Sequence, residues 1–397
     1  MKIERDASPG PACNVTLDEL SIDPYPIYAQ LRRDAPVAWA PRLGMWLVTR
    51  YDDIRAVLMN DAAFVTGTPQ SLIYDTFGEN MLTTDGDLHL RYRPPALSGA
   101  LMAARVRSRF EARVASRVRQ LVDSIVDLRR GDLRSLFASR LPVQVMLDVF
   151  GLPDEDEPLF RSWYDAFEAA LSNHAGASDV SRRAEIAAAA FHQHFQRRLD
   201  EARARPGDNL LSDMAGQPED VPLDDEAIRR NALIIFFGGI STVEAAILNT
   251  LWSLFRHPDA FDAVRAAPAR INDALTESIR WTSPVQSATR HAIESAAIGD
   301  IEIPEGATVN CMLGAANRDE AVFENPDTFD LDRPNAAKHL GFAMGPHLCL
   351  GRHLALAEAR IGLTEILARL PNLRPTRSVD LVGHEFRQPP TLEVEWT

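Results

Sequence analysis

The residues best suited to chemistry lie in one short stretch, residues 342–351, which reads FAMGPHLCLG and contains Cys349. Gly345 and Gly351 allow the backbone to turn tightly around this cysteine, and a helix is predicted to begin directly after it. The backbone N–H groups of such a turn and the positive end of the helix favour the thiolate over the thiol. A thiolate held in this way suits a haem iron, to which it supplies electron density that promotes O–O cleavage.

The other two cysteines, Cys13 and Cys311, are too far apart in sequence for a zinc site and too few for a disulfide framework. Cys13 falls in a polar N-terminal segment and Cys311 in an apolar strand-like segment. Both are therefore interpreted as structural cysteines, which leaves Cys349 with the chemical role.

The spacing around Cys349 is that of a known family. The pattern Phe-x-x-Gly-x-His-x-Cys-x-Gly is complete, from Phe342 through His347 to Gly351, and it closely resembles the cytochrome P450 family. The resemblance covers nearly the whole chain, from residue 23 to residue 370, and it is closest to the soluble bacterial branch. It implies a haem b group (iron protoporphyrin IX) with Cys349 as the metal ligand, and O2 as co-substrate.

Several further residues are implied to bind this cofactor. His89 and Arg93 are four residues apart, so both side chains lie on one helical face and reach the same anion. In the family this pair contacts the haem propionates, and Arg290 and His347 resemble the other propionate contacts. Arginine suits this role because its planar fork binds carboxylates in a bidentate manner. The cofactor-binding set is completed by Phe342, Gly345, Gly351, Gly238 and Gly239.

The stretch FGGIST, residues 237–242, resembles the oxygen-activating helix of the family. Gly238 and Gly239 allow a flat cofactor to approach and favour a local distortion of the helix. The resemblance makes Thr242 the catalytic residue that guides protons to bound oxygen. Ser241 occupies the position of the usual acid, and Glu244 is predicted to be a poor substitute because it lies on a different helix face.

Ser241 cannot supply a carboxylate, which leaves two hypotheses open. In the first, Ser241 still relays protons with the help of water molecules. In the second, the enzyme works with slow or altered proton delivery, as in oxidative coupling chemistry.

A second motif resembles the Glu-x-x-Arg helix of the family. Glu277 and Arg280 are three residues apart and can pair on one helical face. By resemblance, Arg333 completes a buried structural network that braces the haem fold and takes no part in catalysis.

Alignment with the recognition segments of the family predicts a substrate pocket with both aromatic and polar walls. Such a pocket favours a moderately polar small molecule over a plain fatty acid. The predicted pocket residues are Phe77, Phe167, Phe236, Val285, Gln286, Ser287, Phe386 and Arg387.

The resemblance implies a haem-thiolate monooxygenase that inserts one oxygen atom from O2 into a small organic substrate. Hydroxylation in natural-product or xenobiotic metabolism is the expected reaction. Three alternatives stay open: an oxidative coupling or rearrangement enzyme, a peroxide-driven enzyme that needs no ferredoxin, and a non-catalytic haem-thiolate sensor. Retention of Thr242 argues against the second.

No flavin or ferredoxin domain fits within 397 residues already occupied by this fold. Electrons are therefore expected from a separate ferredoxin and ferredoxin reductase, which draw on NAD(P)H. A run of basic residues would face an acidic ferredoxin in the complex. A solvated helix face explains the same run equally well. The run consists of Arg105, Arg107, Arg109, Arg113, Arg117 and Arg119.

The elements that must position these residues are mostly helices. Helical periodicity covers most of residues 88–205, all of 225–256 and most of 258–281, and a last helix begins after Gly351. A hairpin is predicted at 37–49, strands at 286–290, 298–303 and 308–312, and irregular structure at 64–84. The expected fold is mainly α with small β-sheets around 36–50 and 286–312, as one P450 domain over residues 1–397. The haem would lie between the long central helix and the cysteine-loop helix.

Composition and charge exclude several other classes of protein. The chain has 42 basic and 56 acidic residues and a net charge of −14, which disfavours nucleic acid and anionic membranes as partners. The longest apolar run, residues 232–240, is half of the roughly 18 residues that span a membrane. Because residues 1–10 lack the apolar core of a signal peptide, we expect a cytoplasmic protein, and a monomer.

Overall fold

The computed structural model describes residues 11–68, 71–171, 173, 176–216 and 223–397. Residues 1–10, on which the signal-peptide prediction rests, lie outside this description. Helices dominate the fold, which confirms the predicted class. The α-helices are α1 Leu17–Ile22, α2 Tyr25–Asp34, α3 Tyr51–Met59, α4 Leu72–Phe77, α5 Gly86–Tyr92, α6 Pro95–Ala100, α7 Ala103–Arg109, α8 Glu111–Ile125, α9 Leu141–Phe150, α10 Glu157–Leu171, α11 Ser178–Ala204, α12 Leu210–Ala215, α13 Asp225–Gly238, α14 Ser241–Arg256, α15 Pro258–Ala266, α16 Ile271–Thr282, α17 Leu313–Ala316 and α18 Arg352–Arg369.

The strands form small sheets at the edge of this helical body. They are β1 Val37–Ala40, β2 Met45–Val48, β3 Phe64–Val65, β4 Arg130–Asp132, β5 Ala288–Ala292, β6 Ala296–Ile298, β7 Ile301–Ile303, β8 Thr308–Cys311, β9 Arg374–Pro375 and β10 Glu393–Glu395. The largest sheet has the order β1-β2-β8-β5-β3, with β2 and β8 parallel and the other neighbours antiparallel. This sheet joins the predicted hairpin to strands nearly 250 residues later in the chain.

The prediction of a single strand at residues 298–303 is wrong. The chain forms the two strands β6 and β7, which pair as a hairpin through Gly299 and Asp300. Gly299 has a φ of +57°, a left-handed conformation that glycine adopts without steric cost. A second departure is α4, a short helix within the stretch predicted to be irregular; Ser71 caps it by accepting a hydrogen bond from the Tyr74 N–H.

The long central helix predicted at 225–256 is interrupted. The chain leaves helical geometry at Gly239 and Ile240, between α13 and α14, and Ile240 has a φ of −106° and a ψ of −79°. The predicted distortion is therefore a complete break, and it lies directly before Ser241. It divides the predicted helix into two segments whose facing ends carry the FGGIST motif.

The main apolar core surrounds α14, which is buried along most of its length and packs against α16 and α18. Two smaller apolar clusters lie on the two faces of the five-stranded sheet. Among the described residues, the stretch Asp225–Arg256 is apolar and long enough to cross a membrane, but 78% of its most apolar window is buried within the protein. That degree of burial is typical of a central core helix.

Candidate active site

The cysteine loop connects a 3₁₀ turn, Gly345–His347, to the start of α18. The Leu348 N–H donates a hydrogen bond to the Gly345 carbonyl oxygen at 3.0 Å, and the Cys349 N–H donates to the Phe342 carbonyl oxygen at 3.0 Å. Gly345 has a φ of +74°, which favours glycine. These contacts fold the loop back on itself and leave Cys349 half-buried.

The balance of forces on the Cys349 thiol differs from the prediction. Burial raises the pKa of this thiol, and it outweighs hydrogen bonding from the Gly351 and Arg352 backbone and the positive charge of Arg93 and Arg352. The backbone N–H groups thus act in the predicted direction, but desolvation of the charged form is the larger effect. A metal cation bound at the sulfur would oppose this effect and favour the thiolate.

The four basic residues predicted to bind the cofactor do gather near this loop. The rings of His89 and His347 lie 4.4 Å apart, which brings α5 against the 3₁₀ turn. Arg93 donates a hydrogen bond to the Pro346 carbonyl oxygen at 3.2 Å, and its guanidinium is close enough to Cys349 to lower the pKa of that thiol. Arg290 is buried on β5, where burial lowers its pKa.

Sequence reasoning missed the carboxylate of this cluster. His347 Nε2 lies 2.9 Å from Asp85 Oδ1, and the other Asp85 oxygen accepts hydrogen bonds from the backbone and side chain of Thr66. Hydrogen bonding from His347 and Thr66 outweighs burial and holds the pKa of Asp85 below its ordinary value. The position of Asp85 directly before α5 was the available signal, since aspartate is common at the start of a helix.

The cluster as a whole fits an anionic cofactor. His89 Nε2 is buried and has no hydrogen-bond partner among the described residues. Burial, together with the neighbouring His347 and Arg93, lowers the pKa of His89 to about 4. Asp85 pairs with His347, and His89 keeps an unsatisfied nitrogen. Haem carboxylates would supply both the missing charge and the missing partner.

Gly238 and Gly239, at the break between α13 and α14, have different surroundings. A Cβ at Gly238 would meet nothing within 4 Å, so this position faces open space in the middle of the fold. A Cβ at Gly239 would lie 2.7 Å from the Met146 sulfur on α9. Gly238 therefore fits the predicted close approach of a flat cofactor. Gly239 instead serves the packing of this helix pair against α9, which corrects its predicted role.

The hydroxyls of Thr242 and Ser241 lie in different surroundings. Thr242 is partly exposed, and its Oγ1 donates a hydrogen bond to the Gly238 carbonyl oxygen at 2.9 Å, as expected for a threonine at a distorted helix. Ser241 is buried, and its Oγ has no partner with hydrogen-bond geometry among the described residues. The two neighbouring hydroxyls therefore cannot have the same function.

Glu244 is committed to an ion pair, in agreement with its predicted unsuitability as a substitute acid. Its Oε1 lies 2.6 Å from Arg134 Nε and also accepts a hydrogen bond from Gln388 Nε2 at 3.1 Å. The pair is held where α14 meets the π-helical turn Arg134–Ala138.

The predicted structural network is present and buried. Glu277 Oε1 lies 2.7 Å from Arg280 and 3.0 Å from Arg333, and it also accepts the Asp330 N–H at 2.9 Å. Both arginines additionally donate to the Thr328 carbonyl oxygen. This network ties α16 to the segment that precedes the cysteine loop.

Three predicted pocket residues serve the core instead. Phe236 is fully buried among the aromatic rings of α10 and α11. The Gln286 side-chain amide donates to the carbonyl oxygens of Thr282 and Ser283. Arg387 binds the carbonyl oxygens at the end of α1. Helical periodicity turns Phe236 away from the exposed face of α13. The Gln286 and Arg387 side chains instead satisfy buried backbone carbonyl groups.

The residue that sequence reasoning missed is Phe237. Its ring packs against Phe77 at 5.0 Å, is stacked on Tyr164 at 5.5 Å and lies 6.3 Å from Phe386. Phe77 also contacts Phe167 at 5.6 Å. These rings form a buried aromatic cluster within the main core, beside the helix break. Of the remaining predicted pocket residues, Val285 pairs with Phe386 as an isolated β-bridge, and Ser287 is partly exposed beside it.

The basic run predicted to meet a ferredoxin is only partly available. Arg109 and Arg113 pair with Asp208, and Arg117 pairs with Asp148 at 2.8 Å. The other three form no salt bridge among the described residues; they are Arg105, Arg107 and Arg119. Half of the run therefore holds α7 and α8 against neighbouring segments, which corrects the prediction for those three arginines.

Comparison with known proteins identifies the family. Residues 159–371 match the sequence model of the Cytochrome P450 family. The chain is similar to cytochrome P450 monooxygenase PikC of Streptomyces venezuelae, with 33% identity over 89% of this chain and 86% of that protein. It is also similar to nocardicin C N-oxygenase of Nocardia uniformis subsp. tsuyamanensis, with 30% identity over 96% and 97%. The crystal structure of CYP109E1 from Bacillus megaterium in complex with testosterone matches with a TM-score of 0.87 and 26% identity, over 96% of this chain and 100% of that one.

Proposed function

This chain belongs to the cytochrome P450 family of haem-dependent monooxygenases, and from that premise we propose that it hydroxylates a small, moderately polar organic substrate with electrons from a separate ferredoxin. One observation carries the proposal: Cys349 lies half-buried just before α18, next to Arg93 and to a basic cluster in which His347 pairs with Asp85 and His89 Nε2 has no hydrogen-bond partner among the described residues. This arrangement is suited to a flat, doubly anionic metal cofactor.

The residues that would hold the haem follow from the fit described above. Cys349 would be the iron ligand, and His89, Arg93, Arg290 and His347 would bind the propionates. Once bound, haem supplies the activation of O2 and the transfer of one oxygen atom to the substrate. The protein supplies the ligand, the shape of the cavity and the exclusion of water.

Thr242 would hold the proton that the reaction requires. Its hydroxyl already donates to the Gly238 carbonyl oxygen, so its oxygen is oriented and keeps lone pairs that can accept a hydrogen bond. The open space at Gly238 lies next to the hydrogen-bond partner of this hydroxyl, which supports a role for Thr242 in the reaction. Phe237 and Phe386 would exclude bulk water from the same space and provide apolar contact area for the substrate.

The class of substrate is proposed from the walls of this space and from the relatives. The buried aromatic cluster around Phe237 suits a substrate with a compact ring system. The partly exposed Ser287 would add a polar contact to such a substrate. The similar proteins include a nocardicin C N-oxygenase and a P450 in complex with testosterone. We therefore propose a natural-product or xenobiotic substrate of small to medium size.

A groove on the outer side of α18 supports docking of a ferredoxin. It has a volume of about 530 Å³ and lies between α7, α8, α16 and α18, lined by Arg107, His353 and Arg360 among other residues. Because α18 begins three residues after Cys349, a protein seated there would be close to the haem. Electrostatic attraction of an acidic ferredoxin would raise its association rate. NAD(P)H would enter only through the reductase, and the enzyme would work as a cytoplasmic monomer.

Oxidative coupling is the second candidate, and one observation favours it. Residue 241 is a serine, so the carboxylate of the usual acid is missing at this position. The Ser241 Oγ also has no hydrogen-bond partner among the described residues. Slow proton delivery would prolong the life of reactive species and favour coupling over insertion of oxygen.

A spectral titration of the purified ferric protein tests the proposal. The panel would contain terpenoids, macrolides, cyclic dipeptides, aromatic acids and fatty acids, and each compound that shifts the haem from low to high spin would enter turnover assays with ferredoxin and reductase. One hydroxylated product per NAD(P)H is expected for that class. A dimer formed by bond formation between two substrate molecules would favour coupling.

The ligand assignment is tested separately. Cys349→Ser should lose the thiolate-type carbonyl absorption of the ferrous haem, whereas Cys311→Ser, which alters a buried cysteine on β8, should keep it. Thiolate-type absorption in Cys349→Ser would overturn the assignment.

A further inference from the structure

Residues 78–84, called here the connecting segment, join the two halves of the proposed active site. At one end, Phe77 closes α4 and packs against Phe237 at 5.0 Å, beside the helix break. At the other end, Asp85 directly precedes α5 and lies 2.9 Å from His347 in the basic cluster. A shift of this segment would therefore affect both the surroundings of the helix break and the residues proposed to bind the cofactor.

We propose that Asn231 on α13 is a positioning residue, which holds the connecting segment in place and thereby sets the affinity of the cavity for bulky ring compounds. Asn231 acts through the segment and not by direct contact with the substrate or the cofactor. The inference rests on the proposed function, because the cavity concerned is the one in front of the proposed haem.

The first argument is that both ends of the Asn231 amide are used in the protein interior. Asn231 is fully buried; its Oδ1 accepts the Met81 N–H at 2.9 Å, and its Nδ2 donates to the Tyr92 carbonyl oxygen at 2.7 Å. Because the first partner can only donate and the second can only accept, the orientation of the amide is determined. One side chain on α13 thus joins the connecting segment to the end of α5, the helix that carries His89.

The second argument is that the connecting segment is held together by its own hydrogen bonds. Asn80 is fully buried, and its N–H donates to Thr83 Oγ1 at 2.9 Å. The Asn80 carbonyl oxygen accepts from Thr84 Oγ1, also at 2.9 Å. Since these bonds make the segment one compact body, the contact between Met81 and Asn231 fixes the position of all of it.

The third argument is that the other anchor of the segment is open to water. Tyr92 also donates its hydroxyl to Glu79 Oε1 at 2.7 Å. Glu79 is partly exposed, so water can replace it as the partner of the tyrosine hydroxyl. The two bonds of Asn231 are buried, and their loss leaves the Met81 N–H and the Tyr92 carbonyl oxygen unpaired. Asn231 is therefore the anchor on which the position of the segment depends.

The main test compares two ligands of different size in the haem-loaded protein. Imidazole and 4-phenylimidazole both bind ferric haem through a nitrogen, and the visible spectrum reports the binding. Asn231→Leu keeps the approximate size of the side chain and removes both hydrogen bonds. The Kd of 4-phenylimidazole should rise about tenfold, which corresponds to about 1.4 kcal/mol, within the range for one buried polar group left unpaired. The Kd of imidazole, which needs only the space at the iron, should stay close to that of the parent.

A second readout needs no ligand. Hydrogen exchange at the Met81 N–H should be about tenfold faster in Asn231→Leu, because its acceptor is gone and the segment opens more readily. If Asn231→Leu does not fold, Asn231→Ser takes its place in both measurements. Serine keeps a polar group in the interior, but its shorter side chain cannot bridge Met81 and Tyr92.

The matched control is Gln144→Leu, which removes another buried side-chain amide. Gln144 Nε2 donates to Glu157 Oε2 at 3.0 Å and joins α9 to α10. Both variants should lower the free energy of unfolding, but only Asn231→Leu should change the ratio of the two Kd values. Tyr92→Phe, which removes the bond to Glu79 alone, should keep this ratio close to that of the parent.

An unchanged ratio in Asn231→Leu would overturn the proposal, and so would an equal change in Gln144→Leu or Tyr92→Phe. Unchanged exchange at the Met81 N–H would show that Asn231 does not hold the segment and would overturn it as well. Failure of the proposed function is recognised in the parent itself. The parent would then bind both imidazoles at its haem and yet give no O2-dependent product, with no effect on the ratio.

Discussion

Gly345 lies against the last turn of α3, where a Cβ on this residue would come within 2.4 Å of the Leu58 carbonyl oxygen. Backbone atoms cannot move aside as the end of a side chain can. The left-handed φ of +74° at Gly345 excludes other residues for a second, independent reason. The position of the Cys349 ligand therefore depends on a glycine that serves the packing of its loop and need not touch the cofactor.

We expect Gly345→Ala to destabilise the cysteine loop by about 1–3 kcal/mol, because the new methyl group must displace the loop from α3 and its backbone is strained. The variant should retain less haem after purification and show a smaller thiolate-type carbonyl absorption. The matched control is Gly99→Ala in α6, where a Cβ would meet nothing within 4 Å. Equal haem retention in the two variants would contradict this account of the loop.

A second prediction concerns the buried acid of the structural network. Glu277→Gln leaves Arg280 and Arg333 in the interior without a full counter-charge, and breaking such a buried pair typically costs about 3–5 kcal/mol. Urea unfolding of the haem-loaded protein should show this loss as a lower midpoint.

The control for this prediction is Glu365→Gln on α18, which removes a partly exposed pair with Arg369. Exposed pairs contribute about 0–1 kcal/mol, so this variant should unfold close to the parent. A Glu277→Gln midpoint as close to the parent would show that the network contributes little to stability.

Much of this architecture could be predicted because it depends on local sequence. The start of α18 follows from Gly351, and the hairpin β1–β2 follows from two short apolar segments separated by a turn. The ion pair between Glu277 and Arg280 follows from helical spacing. In each case the residues that determine the feature are within a few positions of one another.

What could not be predicted depends on contacts between distant parts of the chain. The strands β4 and β10 are more than 250 residues apart, and neither has a strong pattern alone. Asp85 becomes part of the site only because the cysteine loop brings His347 to it. A local distortion was predicted at Gly238 and Gly239, but its extent was not, because hydrophobic periodicity continues through the whole of residues 225–256. Phe236 and Phe237 are adjacent, and only the orientation of α13 decides which one faces the site.

A third prediction concerns pH. Burial and the charge of Arg280 lower the pKa of His339 to about 4, whereas in the unfolded chain it is about 6.5. Above pH 6.5 both states are neutral and the stability is fully present. As the pH falls from 6.5 to about 4, the unfolded chain binds a proton that the folded protein does not, so the free energy of unfolding decreases by at most about 1.4 kcal/mol per pH unit.

His339→Asn should remove this contribution, since its amide oxygen can still accept the Gly341 N–H bond that His339 Nδ1 accepts at 3.1 Å. Denaturant unfolding at several pH values should therefore give a shallower decrease in the variant between pH 6.5 and 4. At pH 7.5 the two proteins should differ only by a constant. A parallel decrease in both would show that His339 does not carry the acid sensitivity.

The last prediction separates the arginines that remain available for a partner from those that are engaged within the protein. Arg107 is exposed, lines the groove beside α18 and forms no salt bridge among the described residues. Arg107→Glu should raise the ferredoxin concentration needed for half-maximal turnover about threefold or more at low ionic strength, because charge reversal slows association. The effect should shrink in high salt, which screens exposed charges, and substrate binding measured by spin shift should not change. Arg182→Glu on α11 alters the net charge equally at an exposed position away from the groove and should leave ferredoxin dependence near that of the parent. If both variants respond alike, the overall charge and not this groove governs the encounter.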